Sequence, residues 1–258
     1  MFEPNEKFHV RVIKNIKGRS LVVIDNFYKN PDEIRELILS QEAVENEDTT
    51  RGFPGKRCFV GTTEVKEKLY NIYHQLCTNA EHIWDNPDSL PGKKRPFNSE
   101  AFDFYWDNIG FMANVLNDNT LIKNRNGIIP HQDYYETLQE DWDCLIQFGS
   151  LIYLNTPEEC AGGTNLYSYK DQISLDATPY NEGLGIDPPD NIDDYPTDED
   201  KFKYIKSKID EDDPWRVECE VEMVYNRMVL YQADILHSQN VNLGMFTKYD
   251  RINQILFM

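Results

Sequence analysis

The chain has 258 residues, a formal net charge of -19 and a sequence pI near 4.6. This length suits one large domain with a substantial core. The acidic balance argues against nucleic acid or an anionic membrane surface as a partner, because both are bound by clustered Lys and Arg. No stretch resembles a signal peptide or a membrane helix, and 5 cysteines without a CxxC pair favour a reducing compartment. We therefore expect a soluble, cytoplasmic protein.

The first 99 residues predict a support region of strands and helices. Residues 20–26 (SLVVIDN) combine β-branched residues with flanking turn formers, which is typical of a strand. A helix should follow, because Asn30 can act as its N-cap, Pro31 suits its first position and Glu33 completes a capping box.

A second helix is predicted after a short strand at residues 58–60. Apolar residues recur every three to four positions from Thr63 towards Trp84, which gives that helix one buried face. The polar residues 86–99, rich in Pro and Gly, mark the boundary between the support region (1–99) and the remainder of a single domain (100–258).

Short strands dominate residues 100–258. Polar turn residues occupy 117–126, and the Gly162-Gly163 pair marks another turn. This pattern favours an antiparallel sandwich or barrel, so the predicted fold class is mainly β with flanking helices (α+β). The predicted strands are residues 102–106, 111–116, the segment around 131–133, 144–155, 164–169, 217–224, 228–231 and 251–258.

Residues 170–215 interrupt this pattern with a long acidic stretch. A segment of this length without regular structure is uncommon inside a compact domain, and is usually a lid or a disordered insertion. We expect one helix within it, at residues 200–209. An active-site lid and a merely solvating insertion are both open alternatives.

Residues 129–133 (IPHQD) place an imidazole and a carboxylate two positions apart. On a strand, such residues point to the same face, so His131 and Asp133 could reach one metal ion. His237, near the end of an apolar stretch, is the best candidate for a third ligand. Two histidines and one carboxylate are the donor set of non-haem Fe(II) oxygenases, which leaves three coordination positions open. An HxD pair alone is common by chance, so this hypothesis depends on the features downstream.

The strand half carries five motifs in a fixed order. They are His131-Gln132-Asp133, the tyrosine-bearing strand 151–155 (LIYLN), Gly162-Gly163-Thr164, the stretch from Arg227 to His237, and the last strand 251–257 (RINQILF). In this order they resemble the prolyl 4-hydroxylase-like branch of the 2-oxoglutarate- and Fe(II)-dependent dioxygenases. The resemblance covers most of the chain apart from the acidic stretch. It implies a double-stranded β-helix, a form of jelly roll, with N-terminal helices packed on it.

The resemblance also implies a set of ligands. Fe(II) would be bound by His131, Asp133 and His237, with 2-oxoglutarate and molecular oxygen as co-substrates. Arg251, which opens the last strand, would bind the far carboxylate of 2-oxoglutarate, because a planar guanidinium matches a carboxylate. Tyr153 would add a hydroxyl donor at the same place.

Asn253 shares the face of Arg251 on the last strand and is included in the predicted co-substrate site. The position of Arg251 departs from the family, because the interval from His237 to Arg251 is longer than usual in this branch. Residues 244–250 should therefore form an extended hairpin. Lys248 lies nearer to the customary spacing and is the alternative carboxylate partner.

The predicted function is hydroxylation of a peptidyl side chain or a small molecule, with release of succinate and carbon dioxide. The substrate is open among peptidyl proline, other side chains, free amino acids and small metabolites, and Tyr134, Tyr135 and Trp142 could line its entrance. Two other functions are considered. One is a jelly-roll protein that binds a metal or ligand without redox chemistry, and the other is an interaction module that uses the acidic stretch.

Overall fold

The computed structural model describes residues 2–42, 44–45, 56–59, 66–68, 70–71, 74, 112–123, 128–133, 148–175, 196–210 and 214–257. Some sequence predictions lie outside these residues. They are the strand at 102–106, the boundary at 86–99, most of the helix from Thr63 towards Trp84, and the aromatic residues Tyr134, Tyr135 and Trp142.

Strands make up most of the regular structure in the described residues. Helix α1 spans Pro31–Ser40, α2 spans Asp118–Lys123 and α3 spans Asp198–Asp210. No helix in the described ranges has the length and apolar character needed to cross a membrane. The strands are β1 His9–Ile16, β2 Arg19–Asp25, β3 Val44–Glu45, β4 Lys56–Phe59, β5 Met112–Leu116, β6 Phe148–Tyr153, β7 Gly163–Tyr169, β8 Trp215–Glu222, β9 Met228–Gln232, β10 His237–Asn240 and β11 Arg251–Phe257.

The strands form two antiparallel sheets. The large sheet has eight strands in the order β1-β2-β9-β6-β11-β5-β4-β3, and the small sheet has three in the order β10-β7-β8. The predicted mainly β fold with flanking helices is confirmed. Strand β1 has no counterpart among the predicted strands, and its pairing with β2 runs from His9↔Asp25 to Ile16↔Arg19. Strands β1 to β4 belong to the same sheet as β5, β6, β9 and β11, so the described strands before residue 60 extend that sheet.

The inner faces of the two sheets meet through apolar and polar side chains. The Tyr153 hydroxyl of β6 lies 2.7 Å from Oγ1 of Thr164 in β7. The Tyr231 hydroxyl of β9 lies 3.0 Å from Nε2 of His237, where β10 begins. Leu151, two residues before Tyr153 and on the same face, belongs to the main hydrophobic cluster. The core of the protein therefore lies between the sheets.

Helix α3 belongs to the acidic stretch and is capped at its start. The Thr197 hydroxyl accepts a hydrogen bond from the Asp200 N–H at 3.1 Å, and the Asp200 carboxylate accepts one from the Thr197 N–H at 3.2 Å. The predicted helix at 200–209 is confirmed. It is held by three buried side chains that join the hydrophobic cluster containing Tyr167 of β7 and Trp215 of β8. The three are Phe202, Ile205 and Ile209.

The start of α1 differs from its predicted form. Asn30 precedes the helix, but its side chain makes no capping hydrogen bond, so the predicted capping box with Glu33 is wrong. Pro31 does occupy the first turn, where its missing N–H costs nothing. The helix is fixed instead by the burial of Ile34 and Ile38.

The polar residues 117–126 also differ from prediction, because residues 118–123 form helix α2 rather than a turn. Leu121 of this helix is fully buried. The Asp118 carboxylate accepts hydrogen bonds from the N–H groups of Gly244 at 2.6 Å and Phe246 at 3.0 Å. These contacts are remote in sequence, so the local composition does not reveal them.

The Gly162-Gly163 pair lies where β7 begins. Gly162 has a φ of 66° and Gly163 a φ of 156°. A Cβ at Gly162 would lie 2.0 Å from the Asn240 carbonyl oxygen, and one at Gly163 would lie 2.0 Å from that of Val221. Both neighbouring strands of the small sheet therefore approach β7 more closely than a side chain allows.

Candidate functional site

The HQD segment, residues 131–133, does not form the regular strand predicted for it. His131 makes only an isolated bridge with His237, in which the His131 N–H donates to the His237 carbonyl at 2.9 Å and the His237 N–H donates to the His131 carbonyl at 2.8 Å. The Asp133 N–H donates to the Ala233 carbonyl at 2.9 Å. Pro130 lacks the N–H needed to continue a ladder. Backbone hydrogen bonds to residues 233–237 therefore replace strand pairing in orienting His131 and Asp133.

The segment that carries His237 also differs from prediction. The predicted strand at 228–231 is confirmed by β9, but the resemblance implies that this strand also carries His237, whereas β9 ends at Gln232 in the large sheet. The chain then turns through residues 233–236, and His237 opens β10 in the small sheet. His237 thus lies at a corner between the two sheets, opposite the inner face of β9.

This corner is fixed by contacts that are distant in sequence. Asp234 is buried and forms an ion pair with Arg19 of β2, with 2.5 Å between Oδ2 and Nη2. The Leu236 N–H donates to the Ile173 carbonyl at 2.9 Å. A corner held by a buried ion pair and by backbone hydrogen bonds gives His237 a fixed starting position.

The three predicted ligand side chains converge. One ligand atom from each of His131, Asp133 and His237 lies within 4.8 Å of the others. Nε2 of His237 is 3.4 Å from Oδ2 of Asp133, and Nε2 of His131 is 3.9 Å from Oδ1 of the same carboxylate. Donors at right angles around a metal with bonds of about 2.1 Å lie about 3 Å apart. Small side-chain movements would therefore close these residues around one ion.

Both histidines present the nitrogen that a metal needs. Nδ1 of His131 lies 2.9 Å from the Ile129 carbonyl, and Nδ1 of His237 lies 2.8 Å from the Ile235 carbonyl. Because a carbonyl only accepts, each Nδ1 carries a proton, so in the neutral form of each ring Nε2 holds the lone pair that a metal can bind. Burial lowers the pKa of His237 to about 4, although Asp133 opposes this shift. His237 is therefore neutral at physiological pH, as a ligand must be.

Tyr231 of β9 joins this cluster, and the sequence prediction did not include it. Its hydroxyl donates to Oδ2 of Asp133 at 3.2 Å and lies 3.0 Å from Nε2 of His237. Burial and then the charge of Asp133 raise the pKa of Tyr231 well above its usual range. The available signal was a tyrosine in the apolar strand β9, which precedes His237. The corner at 233–236, which brings Tyr231 and His237 together, was not predictable from local sequence.

Arg251 lies inside the protein at the start of β11. It is 1% exposed, and its guanidinium lies 5.6 Å from the ring centroid of Tyr153. Nη1 donates to Oδ1 of Asn253 at 2.5 Å, and Nη2 donates to the Gly163 carbonyl at 3.5 Å. Burial lowers the pKa of Arg251 and the Tyr153 hydroxyl opposes this, but a guanidinium stays charged. No carboxylate among the described residues forms an ion pair with it.

Lys248, the alternative carboxylate partner, lies elsewhere. Its side chain is exposed, and its ammonium lies 4.8 Å from the ring centroid of Tyr249. The extended hairpin predicted for residues 244–250 is wrong, because these residues form turns and bends without strand pairing. Asp118 supplies the hydrogen bonds that stabilise this loop, so the longer interval before Arg251 is accommodated without a hairpin.

Further polar groups on the inner faces were missed by the sequence prediction. Thr164 contacts the Tyr153 hydroxyl, and Gln239 lies opposite Thr164 in the β10–β7 register. Oε1 of Gln239 and Nε of Arg251 are buried and have no hydrogen-bond partner among the described residues. Unpartnered buried polar atoms are rare in folded proteins. The Nε donor of Arg251 is therefore suited to an anionic ligand, whereas Oε1 of Gln239 needs a hydrogen-bond donor.

The first residues of the acidic stretch lie beside the HQD segment. Oε1 of Gln132 accepts a hydrogen bond from the Leu175 N–H at 3.1 Å, and Nε2 of Gln132 donates to Oγ of Ser174 at 3.4 Å. Gln132 itself is buried. One end of the 170–215 stretch thus contacts the HQD segment, while α3 packs against β8 of the small sheet.

Comparison with known proteins leaves the function open. No curated protein matches the chain. Residues 124–251 match the model of a protein family described as a family of unknown function (DUF6445). His131, Asp133, Tyr231, His237 and Arg251 all lie in the segment that is similar to this family.

Proposed function

We propose that this protein is a 2-oxoglutarate- and Fe(II)-dependent oxygenase that hydroxylates a peptidyl side chain or a small molecule. One observation carries the proposal. A cluster of two histidines and an aspartate shares the space between the sheets with a buried arginine that has no carboxylate partner among the described residues. A metal site alone does not require such an arginine, and a buried charge without a partner is costly unless a ligand neutralises it.

The order of the strands supports a double-stranded β-helix. Strands β5, β11, β6 and β9 are consecutive neighbours in the large sheet. In the small sheet, the bridge at His131 extends the row β10-β7-β8 to four segments. Two facing rows of four antiparallel segments, with the chain crossing repeatedly between them, are the arrangement expected of a jelly roll. Strands β1 to β4 lengthen one of the two rows.

The donor set suits a divalent metal that must keep positions open. His131, Asp133 and His237 would hold Fe(II), and two imidazoles with one carboxylate leave room for 2-oxoglutarate and molecular oxygen. When bound, the iron would enable molecular oxygen to oxidise a C–H bond of the substrate. Affinity alone selects poorly among divalent ions, so manganese, nickel or zinc could occupy the same side chains in a purified sample.

The buried Arg251 would bind the far carboxylate of 2-oxoglutarate. Arg251 offers a planar pair of donors, and the ring of Tyr153 lies beside it. Asn253 accepts a hydrogen bond from Arg251 and so orients the guanidinium. All three residues are buried, and ionic hydrogen bonds are stronger where water is excluded.

The overall reaction balances without another reductant. One atom of molecular oxygen enters the substrate as a hydroxyl group, and the other enters succinate as 2-oxoglutarate loses carbon dioxide. Part of the 170–215 stretch would act as a lid, because its first residues contact Gln132 within the HQD segment. This role would restrict the access of water to the site.

The test is turnover of 2-oxoglutarate by the Fe(II)-loaded protein with peptides, free amino acids and small metabolites. We expect release of succinate and carbon dioxide, stimulated by one class of substrate and absent from Asp133→Asn. Asp32→Asn is the matched control, because Asp32 is an exposed carboxylate in the first turn of α1 that accepts a hydrogen bond from Tyr225. Metal binding without any turnover of 2-oxoglutarate would favour the non-redox binding protein instead.

A further inference from the structure

We propose that Tyr231 is a positioning residue of the metal centre, whose hydroxyl donates to Oδ2 of Asp133 and directs Oδ1 towards the metal. This inference rests on the proposed metal site, but not on 2-oxoglutarate or on turnover. It assigns a fourth side chain to a centre otherwise built from two histidines and one aspartate.

The geometry around the hydroxyl carries the inference. Tyr231 Oη lies 3.2 Å from Oδ2 of Asp133 and 3.0 Å from Nε2 of His237, so it touches two of the three ligand side chains. The Tyr231 ring centroid is also 4.5 Å from that of His237. Tyr231 is 4% exposed, so water cannot readily replace these contacts.

A glycine on the neighbouring strand provides the space for this contact. Gly149 of β6 pairs with Tyr231 of β9. A Cβ at Gly149 would lie 2.6 Å from Oδ2 of Asp133 and 2.8 Å from Cε2 of Tyr231. The two side chains can therefore meet only because this position has no side chain.

Metal binding decides which hydrogen bond the hydroxyl can make. The lone pair of His237 Nε2 cannot accept a hydrogen bond and bind a metal at the same time, because Nδ1 holds the proton. Oδ2 of Asp133 is then the acceptor that stays within reach. A hydroxyl that donates to one carboxylate oxygen favours binding of the metal through the other oxygen alone.

The magnitude follows from the general behaviour of metal sites. Groups that hydrogen-bond to metal ligands orient them, and their loss typically costs about 10–100-fold in metal affinity. Tyr231→Phe keeps the ring and removes only the hydroxyl. We therefore expect a loss of metal affinity in this range without loss of the fold.

The experiment is an anaerobic titration of the metal-free protein with Co(II), read by visible absorption and by competition with a chelator. Tyr231→Phe should bind about 10–100-fold more weakly. It should also change the shape of the Co(II) spectrum, because Asp133 would no longer be restricted to one oxygen. The matched control is Tyr28→Phe, since Tyr28 is fully buried and donates to Oε1 of Gln254 at 2.8 Å. This control should leave affinity and spectrum unchanged.

Three results would overturn the inference. They are equal or tighter metal binding by Tyr231→Phe, an unchanged Co(II) spectrum, and a strong phenolate absorption with Fe(III) that disappears in Tyr231→Phe, since the last would make Tyr231 a ligand. If Tyr231→Phe does not fold, Tyr231→Met decides, because this side chain also lacks a hydroxyl that could donate to Asp133 and should weaken binding similarly. Failure of the unsubstituted protein to bind metal would overturn the proposed function as well, whereas the other results leave that function standing.

Discussion

The histidine end and the arginine end of the interior are built in different ways. His131, Asp133 and His237 lie on an isolated bridge and beside a turn, where backbone hydrogen bonds orient them. Arg251 and Tyr153 lie on paired strands, and their relation follows from the register in which Asn253 pairs with Tyr153. The donors that would hold an ion are thus placed by hydrogen bonds between distant segments of the backbone. The group that would bind a carboxylate is fixed by the sheet.

Asp133→Asn should abolish metal binding at the histidine end and leave the arginine end unchanged. This is the largest effect that we expect. The neutral amide is a poor ligand for a divalent ion, so metal affinity should fall by more than the roughly 100-fold that outer contacts cost. The thermal unfolding midpoint of the metal-free protein should change little. Calorimetric titration with Mn(II) measures the affinity, with Asp32→Asn as control. Retained metal binding by Asp133→Asn would contradict the predicted site.

Acid should also destabilise the protein through the histidine end, because His237 is the buried group that must take up a proton. His237 stays neutral in the folded protein down to a pKa of about 4, whereas an unfolded histidine takes up a proton near 6.5. The unfolded state therefore binds more protons between these values, and stability falls as the pH drops from 6.5 towards 4. The loss in the metal-free protein should approach about 3 kcal/mol.

Urea unfolding of the metal-free protein at several pH values measures this dependence. His237→Gln should flatten the curve between pH 6.5 and 4, because the substituted side chain does not titrate. His9→Gln is the control, since His9 lies at the exposed start of β1. An equal slope in His237→Gln and the unsubstituted protein would show that His237 is not the group responsible.

Arg251→Ala should break the arginine end and leave the histidine end intact. Loss of a charge-assisted hydrogen bond costs about 1.5–3 kcal/mol, which is roughly ten- to a hundredfold in 2-oxoglutarate affinity. Arg251→Lys should lose part of this, because an ammonium cannot match the planar pair of donors. Calorimetry on the Mn(II)-loaded protein measures both, with Lys248→Ala as control. A loss in Lys248→Ala alone would transfer the role to Lys248.

Arg251→Met should produce the smallest effect that we predict, which is an increase in the free energy of unfolding of the ligand-free protein. A buried charge without a carboxylate partner costs desolvation energy, and an apolar side chain of similar volume avoids that cost. The free energy of unfolding should rise by on the order of 1 kcal/mol while 2-oxoglutarate binding is lost. Chemical denaturation measures this, and a large destabilisation would indicate that Arg251 serves mainly to stabilise the fold.

The two ends also differ in how far the sequence could predict them. The last strand, which Arg251 opens, was predicted, and the two-residue period of a strand placed Asn253 on the same face as Arg251. The HxD spacing predicted that His131 and Asp133 share one metal ion, although the strand predicted for residues 131–133 is absent. What brings His237 to Asp133 is the corner at 233–236, which depends on the Asp234–Arg19 ion pair across most of the chain.

Tyr231 and helix α2 were missed for the same reason. The sequence pattern predicts only a strand at Tyr231, and its contact with His237 depends on the corner at 233–236. The pattern predicts only a turn at Asp118, whereas its carboxylate accepts hydrogen bonds from the N–H groups of Gly244 and Phe246. Local patterns therefore predict which face a residue occupies, whereas contacts between distant segments decide which faces meet.

The most direct test of the account is an anaerobic titration of the protein with 2-oxoglutarate in the presence and absence of Fe(II). The account predicts that 2-oxoglutarate binds tightly only when the metal is present, and that the visible absorption of an iron–2-oxoglutarate complex appears with one equivalent of each. Arg251→Ala should weaken this binding, and Asp133→Asn should abolish it. Binding of 2-oxoglutarate that is equally strong without metal, or no binding by the Fe(II)-loaded protein, would contradict the account.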